Sequence, residues 1–335
     1  MLNASCIQIG RPVVLAAITC FLLSLPGVTQ AGEITMAISR VPYALGIFVA
    51  QEKGFFTQEG VTVRGIDCFP GKQCLKLLLD GKVDYATAAE TPIVQASFDH
   101  TNFVLLASLA SSSHDSKLVA RHSAGIASPT DLVGKKVAVA KGTSADYFLY
   151  SFLLFNGIDP QAIHVVNKGA SEIVDSLKNR EVDAVAAFEP SAHQSVAALG
   201  NDFVVLKNPE IYTTTVALIA RRTLVGTGDA DMIKALRAIK RANDFIRTNP
   251  DEAKAILQQK FNAKTDFIDW IWPYFDFKLS LDQAFLKTME NEARWIATQN
   301  PALKNKSDRK KMNYLDYFYT KPLSVVSPAA VTLIK

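Results

Sequence analysis

Lys141-Gly142-Thr143-Ser144 stands between an alternating β-branched run, Val137 to Val139, and an apolar segment with helical character. Gly142 allows the backbone to turn sharply and to approach a ligand with no Cβ in the way. Thr143 or Ser144 can cap the helix, and Asp146, three residues after Thr143, resembles a capping box with Asp in place of Glu. A strand–loop–helix junction of this kind aims free N–H groups and the positive end of a helix dipole at one point. That point is a candidate anion site, with an ordinary capped helix start as the alternative.

Ligands in open α/β sheets lie beyond the carboxyl ends of strands. The strand ends select Ser39 to Tyr43, Phe69 to Lys72 with Gly71 among them, Glu90-Thr91, Gly142 to Ser144, Gly169-Ala170 and Phe188-Glu189. Arg40, like Lys141, follows the first strand of its half, and a guanidinium can grip an acidic group with two prongs. Thr91, before Pro92, has the same double reading as Thr143. Glu90 and Glu189 place one acid at a strand end in each half, where either could hold an ammonium or a ring N–H; capping of the following helix is the alternative. Tyr43 and Phe188 could supply the apolar walls that small-molecule pockets need.

Patterns for catalysis are poor. His100, His114, His122, His164 and His193 are scattered without metal-ligand spacing, and the chain has no HExxH, GxSxG or phosphate-loop lysine motif. No catalytic residue, metal or cofactor is expected. Cys68 and Cys74 are candidates for a disulfide in an oxidising compartment, with two free thiols as the alternative.

The elements that must position these residues alternate strand and helix from Glu33 onward, which implies parallel-type sheets flanked by helices. Ile34–Ile38, Val61–Ile66, Val83–Ala88 and Phe103–Leu109 read as strands; so do Lys136–Ala140, Ile163–Val166 and Val182–Ala187. The segment GKVDYATAAE in the first half matches REVDAVAAFE in the second: Asp183 stands 99 residues after Asp84, and Glu189 stands 99 after Glu90. Two similar α/β lobes are therefore expected. Leu118–Arg121 and Thr213–Ala220 bracket the second lobe and make a two-crossing hinge. The expected division is residues 33–114 with 215–335 for lobe 1 and residues 115–214 for lobe 2, the helical end of the chain packing on the first.

The chain has 335 residues, 49% of them hydrophobic and 20% charged, with a net charge of +4. That surplus is no nucleic-acid footprint, and Arg309-Lys310-Lys311 reads as a solvated helix face. Residues 1–31 read as a cleaved export signal: Arg11 carries the positive charge, Val13 to Leu25 is apolar, and Thr29-Gln30-Ala31 ends in small residues.

YALGIFVAQEKGFFTQEGVTV, DGKVDYATAAETP, DLVGKKVAVAKGTSADYFL and VDAVAAFEP resemble the nitrate/sulfonate/taurine-type solute-binding proteins of ABC importers, a group that includes binders of thiamine pyrimidine precursors. The resemblance implies a two-lobed periplasmic-binding-protein fold (type II), a periplasmic monomer, and a membrane permease and ATPase as partners. It implies that Lys141-Gly142-Thr143-Ser144 matches the family's sulfonate-recognising loop and that Phe188-Glu189-Pro190 matches a tryptophan–acid–proline element, with Phe departing from the pattern. The expected ligand is a small organic anion or zwitterion such as an aliphatic sulfonate or taurine. Nitrate and a thiamine pyrimidine precursor are the alternatives. An enzyme of the thiamine-pyrimidine-synthase type would need a cysteine-rich iron site, which the sequence lacks.

Overall fold

The computed structural model describes residues 32–207, 210–299 and 313–334, together with Met1. The expected export signal and the Arg309-Lys310-Lys311 cluster lie outside the described residues. The strands are β1 (Gly32–Ser39), β2 (Val61–Cys68), β3 (Tyr85–Ala89), β4 (Phe103–Ser112), β5 (Lys117–Arg121), β6 (Lys136–Val139), β7 (His164–Asn167), β8 (Ala184–Ala187), β9 (Phe203–Val205) and β10 (Thr214–Arg221). They form two five-stranded sheets, in the orders β2-β1-β3-β10-β4 and β7-β6-β8-β5-β9.

Each sheet is mixed where the sequence implied parallel pairing. β1 pairs parallel with β2 and β3, and β6 pairs parallel with β7 and β8. β10 runs antiparallel to β3 and β4, and β5 runs antiparallel to β8 and β9. The exceptions have one cause. β5 and β10 are the strands that receive the chain as it passes from one sheet to the other, so neither arrives through the βα crossover that makes neighbours parallel.

The sequence repeat is a structural repeat. Asp84, just before β3, accepts from the Thr35 hydroxyl at 2.8 Å and from Arg221 at the end of β10. Asp183, just before β8, accepts from the Lys136 backbone N–H at 2.9 Å and from Arg121 at the end of β5 at 2.9 Å. In each sheet one aspartate thus ties the central parallel strand to its neighbour and to the incoming strand.

The helices are α1 (Leu45–Glu52), α2 (Phe55–Gln58), α3 (Gly71–Leu79), α4 (Glu90–Ser97), α5 (Ser144–Phe155), α6 (Ile173–Lys178), α7 (Ser191–Leu199), α8 (Asp229–Thr248), α9 (Pro250–Phe261), α10 (Thr265–Ile271), α11 (Gln283–Gln299) and α12 (Lys321–Val326). α8 buries Met232, Leu236, Ile239 and Ile246, at the three-to-four-residue spacing of one helix face, and packs on α1. α11 packs on α4, so the helical end of the chain covers the first sheet. None of the described helices is long and apolar enough to cross a membrane.

Candidate functional site

A cavity enclosing about 420 Å³ of atom-free space, part of it open solvent, is lined from both sheets and from the passage between them. The first-sheet side contributes Tyr43, Gly71 and Lys72, the second contributes Thr143, Ser144 and Phe188, and Asp115 comes from the β4–β5 connection. Gly71 opens α3 because its backbone lies against β3: an added Cβ would stand 3.1 Å from Ala88 Cα. Cys68 ends β2, Cys74 lies in α3, and a disulfide joins them with a Cα–Cα separation of 5.5 Å. The loop that carries Pro70, Gly71 and Lys72 into the cavity is therefore held at both ends.

The β6–α5 loop is built differently from its sequence reading. Thr143 has the extended backbone of an N-cap, yet its side chain makes no cap bond; its hydroxyl donates to the Ala140 carbonyl at 2.7 Å. Asp146 accepts from the Gly142 N–H at 2.9 Å, so the reciprocal carboxylate contact has moved one residue earlier than a capping box would place it. Burial raises the Asp146 carboxyl, and the Gly142 N–H and the Lys141 and Lys72 charges oppose that shift. Gly142 has φ of +74°, and an added Cβ would collide with Gln95 Oε1 and stand 3.1 Å from Lys72 Nζ. Gln95 and Lys72 belong to first-sheet helices. The loop therefore already faces the opposite half.

Of the ten residues weighed individually as ligand contacts, five line the cavity: Tyr43, Gly71, Thr143, Ser144 and Phe188. The other five do not. Arg40 is solvent-facing, pairs with Asp67 at 3.0 Å and donates to the Lys260 carbonyl. Gly142 sits behind Thr143 and serves the turn rather than the lining. Thr91 donates to Glu292 Oε1 at 2.6 Å.

The two glutamates are occupied internally. Glu90 is fully buried and accepts from the Tyr212 hydroxyl and from the Thr215 N–H at 2.9 Å. Glu292 of α11 is buried beside it, and burial raises both carboxyls. Glu189 is also fully buried, with Lys117 Nζ at 2.8 Å and Trp270 Nε1 at 2.6 Å on Oε1, and the His193 N–H at 3.0 Å on Oε2. Its ammonium partner is a lysine of the chain.

The carboxylate that does line the cavity is Asp115, which strand-end logic passed over because it lies in a connection. It is 2% exposed, and burial together with the nearby Glu189 charge pushes it up to about 7, against the pull of Lys117. Around it the hydroxyls of Ser39, Tyr43 and Thr214 are buried without a hydrogen-bond partner. The Tyr43 hydroxyl lies near both Asp115 and Thr214 and pulls the Asp115 carboxyl down, but it meets strict hydrogen-bond geometry with neither. The one sequence signal for Asp115 was its place in the connection preceding Leu118–Arg121. Among the described residues no cluster of His, Cys, Asp and Glu could hold a metal ion.

The family model described as NMT1/THI5 like matches residues 41–253. A Haemophilus influenzae protein provisionally named for thiamine biosynthesis is 28% identical over 218 residues, which is 63% of this chain and 68% of that protein. The taurine-binding periplasmic protein of Escherichia coli K12 is 23% identical over 240 residues, 71% of this chain and 68% of that one. Among solved structures, the periplasmic aliphatic sulphonate binding protein SsuA of Escherichia coli matches with a TM-score of 0.70 at 17% identity, covering 81% of this chain and 94% of that chain. At that identity the likeness shows a shared fold.

Proposed function

This chain belongs to the NMT1/THI5-like family and has the fold of the periplasmic binding proteins, and from that premise we propose that it is the extracytoplasmic solute-binding component of an ABC importer. It is a binding protein rather than an enzyme. Exported to the periplasm, it captures a small organic anion or zwitterion between its two halves and hands it to a membrane permease driven by an ATPase. The expected division into lobes, residues 33–114 with 215–335 and residues 115–214, belongs to this proposal.

One observation carries the reading: a single cavity is lined by the start of α5 from one sheet and by Tyr43, Gly71 and Lys72 from the other. A ligand there touches both halves at once, so it stabilises the closed arrangement by contacts an open one cannot make. The first-turn N–H groups of α5, for which a helix has no carbonyl partners, together with Lys72 suit a sulfonate or carboxylate. A second reading, a thiamine pyrimidine precursor, is favoured by Tyr43 and Phe188, whose rings line the same space and could stack a heterocycle.

The test is a thermal-shift screen of the purified protein against taurine, alkanesulfonates, nitrate and aminopyrimidines. A true ligand at about a hundred times its Kd adds roughly 2.7 kcal/mol of stability. Stabilisation by aminopyrimidines alone would replace the sulfonate reading with the second one, and no stabilisation by any member would remove both.

A further inference from the structure

We infer that Asp115 is the specificity-determining residue of this cavity and that the ligand it selects carries an N–H donor group, an ammonium or an amino-substituted ring, besides its anionic end. The inference rests on the solute-binding reading and narrows it to zwitterions and aminated rings at the expense of nitrate and simple alkanesulfonates.

Asp115 is short of partners. It lines the cavity at 2% exposure, and the nearest cationic side chain of its own segment, Lys117, is committed to Glu189 at 2.8 Å. From the protein it accepts the Glu189 N–H at a long 3.4 Å, and the Tyr43 hydroxyl stands near enough to pull its carboxyl down without completing a hydrogen bond. A carboxylate taken out of water with so few donors is costly unless a partner arrives.

The neighbourhood repeats the deficiency. Ser39 Oγ, Tyr43 OH and Thr214 Oγ1 line the same cavity, each at 2% exposure or less, and none has a partner. An ammonium group brings three donors, enough for the carboxylate and for hydroxyls acting as acceptors. A bare anion would bring none and would meet the Asp115 charge. At the same time Lys72 and the start of α5 line the cavity with positive potential. One small space that presents a cation, a helix start and a buried carboxylate matches a molecule with both signs of charge.

The charged and titratable groups that face Asp115 are Glu189 and Lys117 beside it, Tyr43 from after β1, Glu90 from the start of α4, and Lys72 across the cavity. Burial is the main cause of the upward shift of the Asp115 carboxyl to about 7 and the Glu189 charge adds to it, while Lys117, the Glu189 N–H and the Tyr43 hydroxyl pull the other way.

The test is calorimetric titration of the purified protein with matched pairs that differ in the amine: taurine against isethionate and ethanesulfonate, β-alanine against 3-hydroxypropionate, and 4-aminopyrimidines against their 4-hydroxy analogues. In the wild-type protein the amine member of at least one pair is expected to bind about 100-fold tighter, the worth of a hydrogen bond to a charged group. In Asp115→Asn the preference is expected to shrink to a few-fold. Wild-type affinity for the amine should fall as the pH drops below about 7, where Asp115 takes up its proton, while the variant stays flat. Because the wild-type preference is measured without any substitution, poor folding of the variant leaves the inference exposed to refutation. Equal binding of the amine-free members, or of nitrate, overturns the inference and leaves the solute-binding reading intact. Failure of every compound to bind counts against both.

Discussion

Trp270 Nε1 and Lys117 Nζ converge on a single oxygen, Glu189 Oε1, at 2.6 and 2.8 Å. Trp270 lies on α10, among the helices that follow β10, whereas Glu189 follows β8 of the second sheet. The bond therefore ties a helix that follows β10 to the end of β8 in the second sheet, with the Lys117 ammonium 5.2 Å from the centre of the Trp270 ring.

Removing that tie should affect closure and folding separately. Trp270→Phe keeps an aromatic ring and deletes the donor, so ligand affinity should fall by about 10- to 100-fold, the worth of one charge-assisted hydrogen bond. Calorimetry measures the loss, and small-angle scattering should report a more extended ligand-free protein. Glu189→Gln instead leaves a buried lysine without its counter-ion and should cost about 3 kcal/mol of stability, read as a lower Tm. An unchanged Tm would mean that Lys117 finds another partner.

Gly142→Ala joins two faults at one position, a φ of +74° and a collision with Gln95 Oε1. The left-handed conformation alone costs about 1–2 kcal/mol for a residue with a Cβ. Distortion of the start of α5 should weaken anion binding at least about tenfold on the same scale of energies. Adding Gln95→Ala removes the collision and leaves the backbone strain, so the double variant should recover part of the loss. Full recovery would show that backbone conformation contributes nothing.

The Cys68–Cys74 bridge closes a loop of sequence separation 6. Constraint of so short a loop is worth about 2 kcal/mol in the chain-entropy account. Cys74→Ser should therefore lower the Tm by several degrees and abolish its dependence on dithiothreitol, which should lower the Tm of the wild-type protein to a similar value. Because Pro70, Gly71 and Lys72 lie inside the loop, ligand affinity should fall with it.

Glu90 and Glu292 share a buried pocket in which desolvation raises both carboxyls, and the Glu90 charge further raises Glu292. Their protonated forms are the ones the fold favours. The folded protein then holds more protons than the unfolded chain above the ordinary carboxylate range, and stability falls as pH rises through and beyond neutrality. Glu292→Gln preserves the acceptor for Thr91 and removes one ionisation. It should flatten that slope and add about 1–2 kcal/mol near pH 8, measured by denaturant titration across pH. A steeper slope in the variant would contradict the assignment.

Much of the architecture is legible in the sequence because local pattern and a duplicated segment carry it. The match of GKVDYATAAE with REVDAVAAFE places Asp84 and Asp183 at the same point of two sheets, where each binds an arginine from the incoming strand. Gly142, Gly71 and the cysteine pair announce tight backbone and a stapled loop, and these are constraints that a few neighbouring residues impose. The antiparallel sense of β5 and β10 is not local, since it depends on the direction from which the chain returns.

The choice of acid is not local either. Glu90 and Glu189 stand at strand ends and look equivalent to any ligand-facing carboxylate, but Tyr212, Lys117 and Trp270, from distant segments, fill their acceptors. Asp115 looks unremarkable in sequence and lines the cavity because the passage between the sheets delivers it there with no cation of its own. Type and order of elements follow from residues a few positions apart. Which buried charge is left for a ligand depends on who neutralises whom, and those partners meet only when the chain has folded.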